Sequence, residues 1–228
     1  MEHKWLGAGL LAMGVVGLCT LVVAPTGADA PKEPEAAAVG NVVKLPEAPR
    51  EGGMGLYGAL GRRKSSRDFE GGTILPEAWS RLLWAASGVN RPDGRWTIPT
   101  ALNKQDLRVY VLDEDGVWLY DPATHSLTCR TAGDHRADAG RQPFVADAAA
   151  NLVYVAALSP SPGHPMPYEA LVRCATFEAG CAAQGAALAC AAEGLKNVVR
   201  ASYPDARLRA VLGLSEDEII LMAQSIGP

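Results

Sequence analysis

What this chain of 228 residues lacks removes several chemistries at once. Its net charge of −4 and pI near 5.6 leave no basic excess of the kind that nucleic-acid binding requires. No Gly-x-Ser-x-Gly elbow is present, so an esterase-type hydrolase would have no nucleophile in its usual setting. The four histidines, His3, His125, His135 and His164, stand at no ligand-like spacing, and no two of the five cysteines are placed as zinc ligands. Asp113, Glu114 and Asp115 fall in a turn, where solvation would keep all three from acid–base work. Gly53-Met54-Gly55-Leu56-Tyr57-Gly58 fits G-x-G-x-x-G, but no strand precedes it, so it is no dinucleotide fingerprint. No internal repeat is visible.

The N-terminus reads as a targeting segment. Residues 1–30 hold a short polar start with Lys4, an apolar run from Trp5 to Ala24, and small residues up to Ala30. Ala28-x-Ala30 fits a cleavage site, although Pro31 would hinder cutting after Ala30. The run also has the roughly 20 residues needed to cross a bilayer. A cleaved signal peptide and an uncleaved membrane anchor both stand open, and either puts the domain outside the cytoplasm, periplasmic or secreted. The leader has no twin-arginine pair, so export would be of unfolded apo-protein. Residues 31–54, rich in Pro, Glu, Ala and Gly, read as a flexible linker, which leaves 55–228 as one domain.

Within that domain the patterns alternate between helix and strand. Leu56–Gly61 reads as a helix, and Pro76–Ala86 as an amphipathic one, with proline in its first turn and Gly88 at its end. Residues 107–112 and 117–120 predict a hairpin around Asp113–Gly116, and 151–157 a buried strand. Tyr168–Glu193 predicts one long helix of Ala, Gly and Cys, packed on nearly all sides. Cys174, Cys181 and Cys190 lie on it, and residues seven apart are about 10 Å apart along the axis, too far for a disulfide. They are expected to be small core residues. A short helix over 208–212 closed by Gly213 and a last strand over 219–226 complete an α+β layout with a mainly antiparallel sheet.

The most informative stretch is Arg62-Arg63-Lys64-Ser65-Ser66-Arg67-Asp68-Phe69, four cations and two hydroxyls in eight residues of an otherwise acidic protein. Charge-assisted donors in that density suit a phosphate monoester. A second segment, Thr97-Ile98-Pro99-Thr100-Ala101-Leu102-Asn103-Lys104-Gln105, follows shortly after. Together they resemble the flavin-binding motifs of the nitroreductase family. The first is similar to the family's R-R-S-x-R-x-F, with Arg63, Ser65 and Arg67 in place and Lys64 for the second arginine. The second is similar to P-S-x-x-N-x-Q, with Pro99, Ala101, Asn103 and Gln105 in place and Thr100 for serine. Gly140 to Ala148 resembles a stretch whose glutamine, Gln142 here, reaches the pyrimidine edge of the ring. Val199, Arg200 and Ala201 occupy a position where family members have a loop facing the flavin N5 side, with Ala201 where glycine is commoner. Asn90–Arg95 and Met222–Gly227 are most similar to the branch of the azoline oxidases, the dehydrogenases of peptide-heterocycle biosynthesis.

The resemblance implies a nitroreductase-like fold, a long dimer-interface helix, and FMN held between the subunits of a homodimer. It implies the phosphate on Arg63, Lys64, Ser65 and Arg67, and the ring against Pro99, Thr100, Ala101, Asn103, Gln142 and Val199 to Ala201. Many members add a C-terminal basic residue, whose place Arg62 or another cation would take. The implied activity is ping-pong electron transfer between a donor such as NAD(P)H and a small-molecule or peptide acceptor, because one open ring face serves both in turn. No side chain is assigned as catalytic; Lys196 and Tyr203 are candidate proton donors. A catalytically degenerate binding or scaffold domain is the alternative.

Overall fold

The computed structural model describes residues 37–158 and 166–228. The apolar N-terminal run, Cys19, His3 and His164 lie outside the described residues. Among those described, no helix is long and apolar enough to cross a membrane.

In chain order the elements are β1 (Val42–Lys44), α1 (Leu56–Arg62), α2 (Pro76–Ser87), β2 (Leu107–Leu112), β3 (Gly116–Asp121), β4 (Ser126–Ala132), α3 (Phe144–Asp147), β5 (Ala150–Ala157), α4 (Tyr168–Glu193), β6 (Lys196–Arg200), α5 (Asp205–Leu212) and β7 (Glu218–Gly227). The strands form one seven-stranded sheet in the order β1-β4-β3-β2-β5-β7-β6. Every pair of neighbours in it is antiparallel. The expected α+β class with a mainly antiparallel sheet is therefore what the chain adopts.

Both faces of the sheet are covered, and the central strands show it residue by residue. Val109 and Val111 of β2, with Leu152 and Tyr154 of β5, enter a core roofed by α2 and α4. The intervening Tyr110, Leu112, Val153 and Val155 enter a second core closed by Leu208 and Leu212 of α5. That is the period of two of a strand, with apolar side chains on both of its faces.

Helix α4 ends where the sequence predicts, at Gly194 in the left-handed conformation (φ 74°). Its buried stripe is almost all alanine, with Ala179, Ala182, Ala183, Ala186 and Ala187 against the domain. Gly185 permits the closest approach: a Cβ there would overlap the carbonyl oxygen of Ala85 on α2. At the end of the helix, Arg81 of α2 donates two 2.6 Å hydrogen bonds to the Glu193 carboxylate, fixing the pair in register.

Several expectations need correction. Residues 31–54 are not linker throughout. Val42–Lys44 pairs with β4, Leu45 and Ala48 are buried, and the Pro46 carbonyl accepts a 2.6 Å hydrogen bond from Ser80. A three-residue edge strand among Pro and Glu leaves no periodic signal; its partner strand orders it. Of the helix cysteines only Cys190 is buried, while Cys174 is half-buried and Cys181 exposed, because α4 turns one face away from its own domain. Asp113 is not solvated either. Its Oδ1 accepts from the backbone N–H of Asp115 and Gly116 and from the Trp118 indole, and burial raises its pKa.

Candidate functional site

The basic run is held along the exposed edge of the sheet. After α1 ends at Arg62, the chain passes beside β6, where Ser65 bridges Asn197 and the Ser66 N–H donates to the Asn197 carbonyl at 2.9 Å. Lys196 secures it further on, its Nζ donating to the Asp68 carbonyl oxygen at 2.9 Å. Phe69 then buries against Phe144, Ala148 and Val198 and locks the end of the run into the domain.

Three of the four cations share one cleft, and the fourth lies outside its lining. Arg62, Arg63, Lys64, Ser66 and Asp68 line a cleft of about 250 Å³ that reaches Ala191, Gly194 and Asn197. Ser65 and Arg67 are exposed and lie outside that lining. The Asp68 carboxylate also lines the cleft, 3.9 Å from Lys196. Among the described residues none of Arg62, Arg63, Lys64 and Arg67 has an ion-pair partner. Unpaired cations held by backbone at a sheet edge are suited to an anionic ligand.

The Thr97–Gln105 segment is built differently. Thr97 is tied to the end of α2 by its N–H to Gly88 O and its hydroxyl to Trp84 O. Leu102, Asn103 and Gln105 then take φ values of 53°, 53° and 56°, a left-handed region that costs side-chain-bearing residues roughly 1–2 kcal/mol each. What holds the bend is Glu178 of α4, a buried carboxylate that accepts the Ala101 N–H at 2.7 Å and has its pKa raised by desolvation. Pro99, Thr100 and Asn103 line a groove of about 580 Å³ with Trp96, Arg91 and Arg95, while Ala101 turns toward α4.

The third set of residues gathers at the far end of β6. Residues 199–201 are not the loop expected: Val199 and Arg200 belong to β6, paired with Gln224 and Ala223 of β7, and only Ala201 lies past its end. Val199 and Ala201 are exposed on the edge, but Arg200 points inward and is 8 % exposed. Gln142 lies close by, its neighbour Arg141 donating to the Tyr203 carbonyl at 3.1 Å. The Gln142 Oε1 is buried with no hydrogen-bond partner, a state that normally costs about 1–3 kcal/mol unless a ligand supplies the donor. Tyr203 makes a poor proton donor, since its hydroxyl is committed to the Ile220 carbonyl at 2.8 Å and burial raises its pKa.

From Lys196 to Ala201 the edge of β6 spans roughly 16 Å at the rise of a strand. One chain thus offers a run with cations at one end and an unsatisfied amide at the other. The Pro99–Asn103 groove stands away from the cation end of that edge. Its anchor, Glu178, lies thirteen residues along α4 from Ala191 in the basic cleft, about 20 Å at helical rise. The buried polar residues between strands, Tyr154, Gln224, Asn197, Asn151 and Ser225, gave no sequence signal, because single polar residues in apolar strands have no spacing of their own.

The family model for the nitroreductase family matches residues 60–228. A nitroreductase-like protein of known structure from Ralstonia eutropha JMP134 is 38% identical, covers 82% of this chain and 88% of its own, and superposes with a TM-score of 0.75. A nitroreductase-like protein from Desulfovibrio desulfuricans, solved in complex with FMN, is 21% identical over 75% of this chain and 84% of its own, with a TM-score of 0.53. The Escherichia coli microcin synthetase McbBCD complex with truncated pro-MccB17 bound is similar at 18% identity, 89% and 79% coverage and a TM-score of 0.60. The last two likenesses are of fold. No functionally curated protein matches the chain.

Proposed function

The chain belongs to the nitroreductase family, and from that premise we propose that it is an FMN-dependent oxidoreductase working as a homodimer. One observation carries the reading: four cations without ion-pair partners, held by backbone pairing at one end of an edge strand whose other end presents an unsatisfied buried amide oxygen. A phosphate at one end and a planar ring with a hydrogen-bonding rim at the other match that distribution.

The residues fit the cofactor in these roles. Arg63 and Lys64 from the cleft, with the exposed Ser65 and Arg67 beside it, would hold the phosphate, and Arg62 would add charge. Gln142 Oε1 would accept an N–H from the ring's rim, and Val199 and Ala201 would supply apolar edge. When bound, FMN accepts and releases electrons; the chain's residues position it and keep water from it. Pro99, Thr100, Ala101 and Asn103 lie about 20 Å along α4 from the basic cleft of the same subunit. Two α4 helices paired antiparallel would put the Glu178 end of one beside the Ala191 end of the other, and so complete each site with the partner's loop. The exposed face of α4, with Phe177 (66 % exposed), Gly180, Cys181 and Gln184, is the surface for that pairing.

For the acceptor, a small molecule or a peptide is proposed; the fold likeness to a complex bound to truncated pro-MccB17 supports the peptide. The apolar N-terminal run supports an extracytoplasmic setting, where a quinol or a protein donor would replace NAD(P)H. The deciding test is a visible spectrum of the full-length chain incubated with excess FMN and desalted. A retained flavin band, bleached by NADPH or dithionite and restored by air, is expected. A folded, colourless dimer would overturn the reading and favour a scaffold domain.

A further inference from the structure

Arg200 is a buried cation facing only neutral acceptors. The other strongly buried charged side chains near this end of the molecule have ionic partners: Asp138 pairs with Arg207 and His135, and Glu218 with Arg108. Arg200 instead donates to Ala139 O at 2.6 Å, Asn151 Oδ1 at 2.7 Å and Ser225 Oγ at 3.1 Å, and among the described residues no carboxylate meets it. Burial pushes its pKa down to about 10. Dipoles satisfy the hydrogens of a guanidinium but leave its charge unneutralised, so this corner of the fold keeps a positive field.

The same side chain fixes the segment that carries Gln142. Arg200 holds the Ala139 carbonyl on one flank, and Asn151, which Arg200 itself holds, donates to the Val145 carbonyl on the other at 3.0 Å. Gly140 is required there because a Cβ would overlap the guanidinium. Gln142 follows two residues later, within about 7 Å of Gly140 by chain length, and its Oε1 is a buried oxygen without a donor.

We propose that Arg200 is a positioning residue of the ring end of the site: it pins the loop that presents Gln142, and its unneutralised charge favours the electron-rich, anionic form of the bound ligand over the neutral oxidised form. This rests on the flavin reading above. An apolar residue would fill the inward position of an edge strand without the cost of burying a cation, and the expense is repaid only when negative charge develops nearby.

The experiment compares the full-length wild type with Arg200→Met, Arg200→Lys and Asn151→Asp. Affinity for oxidised FMN is read by fluorescence quenching and the midpoint potential by equilibration with reference dyes. Arg200→Met should weaken binding of the reduced form at least tenfold more than that of the oxidised form, a fall of about 30 mV for a two-electron couple. Arg200→Lys, which keeps the charge and loses the fork, should weaken binding with a smaller fall in potential. Asn151→Asp, which neutralises the guanidinium without removing it, should lower the potential as Arg200→Met does, and it decides the matter if the methionine variant fails to fold. In the apo-protein, trypsin should cut after Arg141 faster in Arg200→Met than in wild type. Equal potentials in the wild type and in the folded Met or Asp variants, with FMN bound to each, would overturn this role alone. A wild type that retains no FMN would instead overturn the flavin reading, and this proposal with it.

Discussion

The two motif regions of this protein reach their shapes by opposite means. The Arg62–Phe69 run is held by backbone pairing to β6 and a buried phenylalanine, carries no positive-φ residue, and displays its charge at the surface. The Thr97–Gln105 run has three non-glycine residues in the left-handed region and is held in that state by a buried carboxylate on its first turn. A phosphate is recognised by charge, which tolerates some displacement. A ring edge is recognised by direction, which does not. On the flavin reading proposed above, the difference in construction follows from that: one region relies on cations, the other on a fixed backbone.

The largest expected effect tests the charge side. Arg67→Ala should weaken FMN binding by about 2 kcal/mol, roughly 30-fold, with stability nearly unchanged because the side chain is exposed and unpaired. That loss should shrink as salt is added to both proteins. If Arg67→Ala binds FMN like the wild type at every ionic strength, the charge half of the comparison is wrong. Glu178→Ala probes the other half. Leaving the Ala101 N–H without its acceptor should cost about 1–2 kcal/mol of stability in urea titrations, and it should weaken flavin binding in a way that salt does not alter. A salt-dependent loss at this position would erase the distinction between the two regions.

How much of this was legible beforehand also differs between the regions. The long helix was readable to its terminal residues, since twenty-six residues without proline and a glycine beyond the end leave few alternatives. β2 is legible by its β-branched alternation, β3 by the turn before it, and β5 and β7 by their apolar runs. β4 was missed although Ser126–Ala132 is seven residues long, because Thr, Cys and Arg dilute its apolar face. The loop expected at Val199, Arg200 and Ala201 came from the family resemblance, while the polar Lys196, Asn197 and Arg200 give β6 no apolar strand pattern of its own. Its order comes from pairing with β7 and from the buried guanidinium, and neither is a local property. The motif residues were found by likeness, but their sidedness was not. Ser65 and Arg67 lie outside the lining of the cleft that Lys64 and Ser66 share, which spacing along the run does not announce.

Strain itself can be tested at Leu102, which is exposed and so loses little packing when truncated. Leu102→Gly should stabilise the apo-protein by up to about 1 kcal/mol, the left-handed penalty less the added chain entropy of glycine. No gain in the urea midpoint would mean that the bend is held without strain. The smallest effect expected is one of pH, and it sharpens the role of Glu178. Desolvation raises the pKa of this carboxyl above its ordinary value of 4.5 in the folded protein. The folded state therefore holds the proton more tightly than the unfolded state does. The resulting stabilisation is fully present below 4.5 and is lost as pH rises through the raised folded value. Glu178→Gln keeps an acceptor for the Ala101 N–H and removes the titration. Wild-type stability measured relative to this variant should thus be greatest in acid and fall towards neutrality. A difference that does not change with pH would show that water reaches Glu178, and that the loop is anchored by a solvated group instead of a buried one.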